Sequence, residues 1–164
     1  YEPERLYRSL FPELFEDEKI VLRKVSGRRG LVAALDQTGY YTDDSVLCCQ
    51  LRRQLKPLPA ALARRYGGAE PPPALEAYDL PILLAVMNSR LGALVFDLLL
   101  GNGLNVYPAA VMRLPLPPVD PEGFPLLRDL VSRRQTTADP QLEATMDALV
   151  TTMFGMAPAS LPER

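Results

Sequence analysis

The sequence contains no histidine and no tryptophan. Without histidine the chain lacks the commonest general base and the commonest metal ligand. A serine nucleophile would have only Lys or carboxylate partners. The motifs G-x-x-x-x-G-K-[ST], G-x-G-x-x-G and G-x-S-x-G do not occur either. We therefore assign no catalytic residue and no metal ligands, and an enzyme acting alone would have to work without histidine and without a recognised motif.

Cysteine is also scarce, since Cys48 and Cys49 are the only two. They are adjacent in an apparent β-strand, so their side chains should point to opposite faces as buried free thiols. Two thiols alone do not make a zinc site, and free thiols fit a reducing compartment. No signal peptide opens the chain, and polar residues interrupt the apolar stretch 80–100. We therefore expect a cytoplasmic protein that does not enter a membrane.

Charge is distributed unevenly along the chain. The total of −2 combines −4 over residues 1–18, +7 over residues 19–65 and −5 over residues 66–164. A basic segment of this kind is typical of a surface that meets a polyanion. Ordinary solvated surface charge is the alternative explanation, so the pattern needs support from motifs.

The 164 residues, 48% of them apolar, predict a single domain, 1–164. Residues 19–56 predict a basic β-meander, with Gly-containing turns between three strands, and residues 57–78 a loop rich in Pro, Ala and Gly. Residues 79–118 predict one long helix, with Asp79 as its N-cap, and a Pro-rich edge strand at VMRLPLP. Residues 119–164 predict two helices, the second with Asp139 as its N-cap and Gly155 just past its end. The predicted fold class is α+β: a small antiparallel or mixed twisted sheet packed on a long buried helix, with two C-terminal helices.

Five short segments follow one another along the chain: LFEDEKIVLR, LVAALDQTGYYTDDSV, LLAVMNSRLGALVF, YPAAVMRLPLP and MDALVTTMFGM. Together they resemble the TaqI-like C-terminal specificity domain of N6-adenine DNA methyltransferases from bacterial restriction–modification and phage-defence systems. That family has a "pKI…R" strand, a "D..gyY.t.s" strand pair, an "LLA.LNS" helix, a "lPiP" strand and often a closing "iD.lVy.LYGL" helix. The first four are matched here by Lys19-Ile20 with Arg23, and by residues 36–45, 83–89 and 114–117.

The resemblance, which runs from about residue 11 to residue 156, implies a module that reads double-stranded DNA for a methyltransferase. The [N/D]-P-P-[Y/F] tetrapeptide that orients the flipped adenine in these enzymes is absent, because EPPPA at 70–74 has the wrong first and last residues. The chain also begins at Tyr1 and not at Met, so we expect it to be cut from a longer protein. The catalytic domain and its S-adenosylmethionine would lie upstream, with no cofactor in this chain. Whether a nuclease domain is fused to the protein stays open.

The candidate DNA contacts are basic residues at strand ends and hairpin tips, two tyrosines, and polar residues that can bond base edges. Such a surface would hold the duplex while the upstream domain extrudes the adenine. Tyr40 and Tyr41 should face opposite sides of a strand, so at most one should reach DNA. The full set is Arg23, Lys24, Arg28, Arg29, Gln37, Tyr40, Tyr41, Thr42, Ser45, Arg52 and Arg53.

A protein–protein interaction module without DNA binding is the alternative. In that case the acidic C-terminal helices would dock a partner and the basic strands would merely balance their charge. Salt separates the two hypotheses, because phosphate contacts make affinity fall steeply with salt and an apolar protein interface does not.

Overall fold

The computed structural model describes residues 13–25, 30–55, 73–100 and 105–161, with the backbone alone at 99–100. It contains a three-stranded antiparallel sheet and a set of helices, so the predicted α+β class is confirmed. Three short 3₁₀ helices span Arg52–Gln54, Pro73–Ala77 and Pro158–Ser160. The other elements are α1 (Glu13–Glu16), β1 (Lys19–Arg23), β2 (Ala33–Asp36), β3 (Val46–Cys49), α2 (Leu80–Asn88), α3 (Arg90–Leu100), α4 (Pro108–Val111), α5 (Gly123–Thr136) and α6 (Pro140–Met153).

The strand order is β2-β1-β3, with both neighbours antiparallel to β1. The meander predicted for residues 19–56 is therefore wrong, because a meander would place β2 in the middle. β1 lies in the middle, and its Ile20 and Leu22 are fully buried. Residues 37–45 carry the chain from the end of β2 to the far side of β1.

The two faces of the sheet differ in what covers them. The inner face packs on the helices through Ile20, Leu22, Leu35, Leu47 and Cys49. The outer face carries alternate residues, among them Lys19, Val21, Arg23, Ala34 and Cys48.

The adjacent cysteines lie on opposite faces, as predicted, and both are free thiols, but each is half-buried and not fully buried as predicted. Cys49 packs against the core on the inner face. Burial, reinforced by the neighbouring Cys48, raises the pKa of the Cys49 thiol to about 11. Cys48 lies on the outer face, where the hydroxyl of Thr42 approaches its sulfur at 3.2 Å.

The segment predicted as one long helix is two helices, α2 and α3, bent by 70°. Ser89 between them adopts an extended conformation, with φ −71° and ψ 158°. Its hydroxyl donates to the carbonyl of Val86 and accepts the N–H of Gly92, both at 2.8 Å, and so caps both helices. No single helix in the described ranges is long and apolar enough to cross a membrane, and this bent pair meets the length and composition criteria only together.

The helices form a layer over the inner face of the sheet. α2 begins at the predicted N-cap Asp79, which accepts the N–H of Ile82 at 3.2 Å. It packs between β2 on one side and α5 and α6 on the other. The two predicted C-terminal helices are present, and α6 has the predicted N-cap Asp139 and ends just before Gly155, whose φ is +73°.

The edge strand predicted at VMRLPLP is wrong. Residues 108–111 form the short helix α4, and residues 114–120 have no regular structure. Proline supplies no N–H to a sheet, and this segment carries Pro115, Pro117 and Pro118. It is held instead by Tyr78, whose hydroxyl donates to the carbonyl of Pro117 at 2.5 Å.

We expect Gly92→Ala to lower the free energy of unfolding by about 2 kcal/mol, since overpacking typically costs that much. A Cβ at position 92 would lie 2.1 Å from the carbonyl oxygen of Val86, across the bend between α2 and α3. Urea denaturation of the purified protein measures the change. Ser132→Ala on the exposed surface of α5 is the control and should be nearly neutral; equal stability of both variants would contradict the close approach.

Candidate functional site

A buried ion pair joins the start of β1 to the end of β2. Lys19 is 0% exposed and Asp36 is 8% exposed, and the two residues face each other in the strand register. The Lys19 ammonium donates to the Asp36 carboxylate and to the carbonyl of Phe15. The pair therefore fixes three neighbours at once: β1, β2 and the helix α1.

The carboxylate of Asp36 also shapes the chain that leaves β2. Its Oδ1 accepts the N–H of Thr38 at 2.9 Å and the Thr38 hydroxyl at 2.7 Å, and its Oδ2 accepts the N–H of Tyr40 at 3.0 Å. Gly39 between them has φ +77°, a conformation that favours glycine. Burial alone raises the pKa of Asp36, but the hydrogen bonds from Lys19, Thr38 and Tyr40 outweigh it and lower the pKa to about 2. Asp36 is thus ionised at neutral pH and holds the turn in one conformation.

The two candidate tyrosines follow this turn and have different surroundings. Tyr40 is 71% exposed. Tyr41 stacks on Phe15 with ring centroids 4.9 Å apart, and its hydroxyl donates to Glu16 at 2.7 Å. Tyr41 therefore packs against α1 while Tyr40 projects from the surface.

Three candidates lie at the opposite end of the sheet. Arg23 is exposed at the end of β1, on the outer face. Lys24 forms an ion pair with Asp44 at 2.8 Å. Ser45 donates through both its N–H and its hydroxyl to Asp43, and these bonds lower the pKa of Asp43. Two acidic residues thus lie directly beside the basic ones.

The remaining candidates make contacts within the chain or lie outside the described ranges. Gln37 donates to Glu18 at 2.6 Å. The Arg53 guanidinium donates to the carbonyls of Glu76 and Tyr78, both at 2.9 Å, and so ties the end of β3 to the start of α2. Arg52 is half-buried in the adjacent 3₁₀ helix, and Thr42 lies over Cys48. The predictions for Arg28 and Arg29 fall on residues that are not described.

The structure thus collects the described candidates into two groups at the two ends of β1. Gln37, Tyr40 and Tyr41 lie near its first residue, and Arg23, Lys24 and Ser45 near its last. A strand of five residues separates its ends by about 13 Å. That is close to the width of a major groove, about 12 Å, so one duplex could touch both groups.

Two features of this region were not predicted from the sequence. One is the Lys19–Asp36 pair, whose signal was the segment DQTG, where Asp can bond the backbone two residues on. The other is a cleft of about 660 Å³ between β2 and the helices, bordered by Ala85, Val131 and Met146 and by the polar residues Asn88 and Arg134. None of the candidate DNA contacts lines this cleft.

No protein family, no curated protein and no solved structure matches the chain. Among the described residues, no three His, Cys, Asp or Glu side chains come together in a way that could hold a metal ion. The geometry of the chain itself therefore carries the functional inference, together with the sequence motifs.

We expect Asp36→Asn to lower the free energy of unfolding by about 3 kcal/mol at pH 7, because it leaves the Lys19 ammonium buried without its counter-ion. Chemical denaturation of the purified variant measures the loss. Asp44→Asn removes a carboxylate that is 99% exposed, so this control should change stability little. Similar losses in both variants would contradict a special role for the buried pair.

The effect of Asp36→Asn on the free energy of unfolding should depend on pH. Because the folded-state pKa of Asp36 is about 2, below the ordinary 3.8, its ionisation stabilises the fold above pH 4. That contribution, about 2 kcal/mol, is lost as pH falls from about 4 through 2. The difference in unfolding free energy between the wild type and Asp36→Asn should therefore shrink by about that amount between pH 5 and pH 2. A difference that stays constant over this range would contradict the lowered pKa.

Proposed function

We propose that this chain is the DNA target-recognition module of a site-specific adenine-N6 methyltransferase of the restriction–modification type. The motifs that resemble the family carry the enzymatic part of the proposal. The surface at the two ends of β1 supports the DNA-binding part. In this proposal double-stranded DNA and an upstream methyltransferase domain are the partners, and S-adenosylmethionine binds upstream.

The observation that carries the proposal is the presentation of Tyr40. A large aromatic side chain that is 71% exposed sits on a turn whose backbone is fixed by a buried carboxylate. Fixing the backbone lowers the entropy lost when the ring is immobilised on a ligand. In the grooves of a duplex an aromatic ring can pack on sugars and on the methyl group of thymine.

The basic end of the sheet supplies the complementary contact. Arg23 is exposed and can bond a phosphate, or a guanine edge with two hydrogen bonds. Lys24 would have to exchange its ion pair with Asp44 for a phosphate. That exchange costs little, since Asp44 is 99% exposed and water screens the pair.

Acidic residues beside both groups of candidate contacts affect how a duplex can lie on this surface. Glu16 and Glu18 hold Tyr41 and Gln37 at one end, and Asp43 holds Ser45 at the other. Carboxylates repel phosphates, so Glu16 and Glu18 should keep the phosphate backbone away from the end that carries Tyr40. At the other end Arg23 and Lys24 should attract a phosphate, and Asp43 and Asp44 weaken that attraction.

We expect Tyr40→Ala to weaken binding to duplex DNA about tenfold, since truncating an aromatic anchor of an interface typically costs about 1 kcal/mol or more. The affinity is measured by fluorescence anisotropy on a labelled duplex. This duplex carries a motif that the intact protein has selected from a pool of randomised duplexes. Leu126→Ala on α5 is the matched control, because Leu126 is 59% exposed but belongs to the helical layer. Equal affinity of the two variants would remove Tyr40 from the interface.

Arg23→Ala should weaken binding to all duplexes alike and flatten the dependence of log affinity on log salt by about 0.9, the value for one lost phosphate contact. Titrations at several salt concentrations give the slope. Arg133→Ala on α5, a cation that is 59% exposed, serves as the control with an unchanged slope. If the loss in Arg23→Ala depends on the bases and the slope stays the same, Arg23 contacts a base and not a phosphate.

The enzymatic half is tested separately by reading the coding sequence upstream of Tyr1. An [N/D]-P-P-[Y/F] tetrapeptide preceded by a Gly-rich strand and turn would support the methyltransferase. An unrelated upstream sequence would overturn the methyltransferase but leave a DNA-binding module. If the randomised pool yields no motif and no binding that weakens with salt, the DNA proposal fails and a protein partner becomes the better hypothesis.

A further inference from the structure

The strand β2 lies at one edge of the sheet, and half of its backbone groups point outwards. The N–H of Arg23 donates to the carbonyl of Val32 at 3.0 Å. In an antiparallel pair this places the N–H and carbonyl of Val32 and Ala34 towards β1, and those of Ala33 away from it. Among the described residues no other strand pairs with that outer side of β2.

The side chain of Asn88 occupies the position of a missing neighbour strand. Its Oδ1 accepts the N–H of Ala33 at 3.0 Å, and its Nδ2 donates to the carbonyl of Ala33 at 2.9 Å. A residue of an added antiparallel strand would exchange the same two hydrogen bonds with Ala33. An incoming strand would therefore have to displace the carboxamide.

The bend between α2 and α3 holds Asn88 at this edge. Asn88 is the last residue of α2, and Ser89 follows it with a buried hydroxyl that bonds both helices. Arg90 donates to Asp147 of α6 through its backbone N–H and its Nε, both at 2.5 Å. Asn88 is thus held in place on one side by the buried helix α2, whose last residue it is, and on the other side by the contact of Arg90 with α6.

The edge has little other protection against an added strand. The segment LVAALD, residues 31–36, contains no Lys, Arg or Pro, and Asp36, its one charge, is buried against Lys19. Charged side chains and proline are the usual means by which an edge strand avoids pairing. Short uncharged apolar strands are the kind that pair with copies of themselves.

We propose that Asn88 closes the edge of β2 against a second copy of this chain, which would otherwise pair its own β2 antiparallel to the first. A strand can pair antiparallel with its copy about a two-fold axis, so both copies would offer the same surface. The N–H and carbonyl of Ala33 would then bond the partner instead of Asn88. This role concerns the assembly of the protein and does not depend on DNA binding.

Asn88→Leu tests the proposal in the intact protein, because leucine has nearly the same size and cannot form either hydrogen bond. Size-exclusion chromatography with light scattering, over a range of concentrations, should show a mass that rises towards twice that of the wild type. At the lowest concentration, hydrogen exchange of the Ala33 amide should be about tenfold faster than in the wild type. A mass that stays at the wild-type value over the whole concentration range would overturn the proposal, whatever the exchange rate of the Ala33 amide.

A second substitution separates edge pairing from general aggregation. Ala34 is exposed on the outer face of β2, and a lysine there would bring two like charges together in the paired form. Asn88→Leu with Ala34→Lys should therefore return to the mass of the wild type, whereas association that persists would refute edge pairing. If Asn88→Leu does not fold, Asn88→Ala replaces it in both measurements with the same outcomes, since alanine can form neither of the two hydrogen bonds to Ala33.

Discussion

The ion pair between Lys19 and Asp36 determines the conformation of the outer side of the sheet. Removing two charges from water costs several kcal/mol per ion, and the cost is repaid only if the geometry is good and further hydrogen bonds satisfy both groups. Here the carboxylate accepts four hydrogen bonds and the ammonium also reaches the carbonyl of Phe15. One buried carboxylate thereby couples a helix, two strands and a loop. The position of Tyr40 is a consequence of that coupling, because its N–H is one of the four donors.

Helix ends could be predicted from the sequence where short-range signals mark them. Asp79, Asp139 and Gly155 were identified as caps because each acts on residues two to four positions away. The break at Ser89 was missed because apolar residues continue at helical spacing on both sides of it. The strand order was missed because the length of the segment 37–45 does not reveal whether β3 pairs with β2 or with β1.

The candidate site could be predicted only as a set of residue types. The net charge of +7 over residues 19–65 overstates the number of available cations. Lys19 is buried, Lys24 is paired with Asp44, and Arg53 bonds two backbone carbonyls. Such partners are distant in sequence and become adjacent only through the register of the sheet and the path of the chain after it. The different surroundings of Tyr40 and Tyr41 could be predicted, because neighbouring side chains in an extended chain point in different directions.

The adjacent thiols on β3 give the sheet a chemical probe on each face. Thiol reagents attack the thiolate, and the raised pKa of Cys49 keeps that sulfur protonated and unreactive while the core stays closed. Cys48 is on the outer face beneath Thr42, where its reaction depends on the loop and not on the core. Labelling at position 48 therefore reports movement of residues 37–45, and labelling at position 49 reports opening of the sheet from the helices. The thiols of two adjacent residues thus distinguish local motion at the proposed DNA surface from unfolding of the domain.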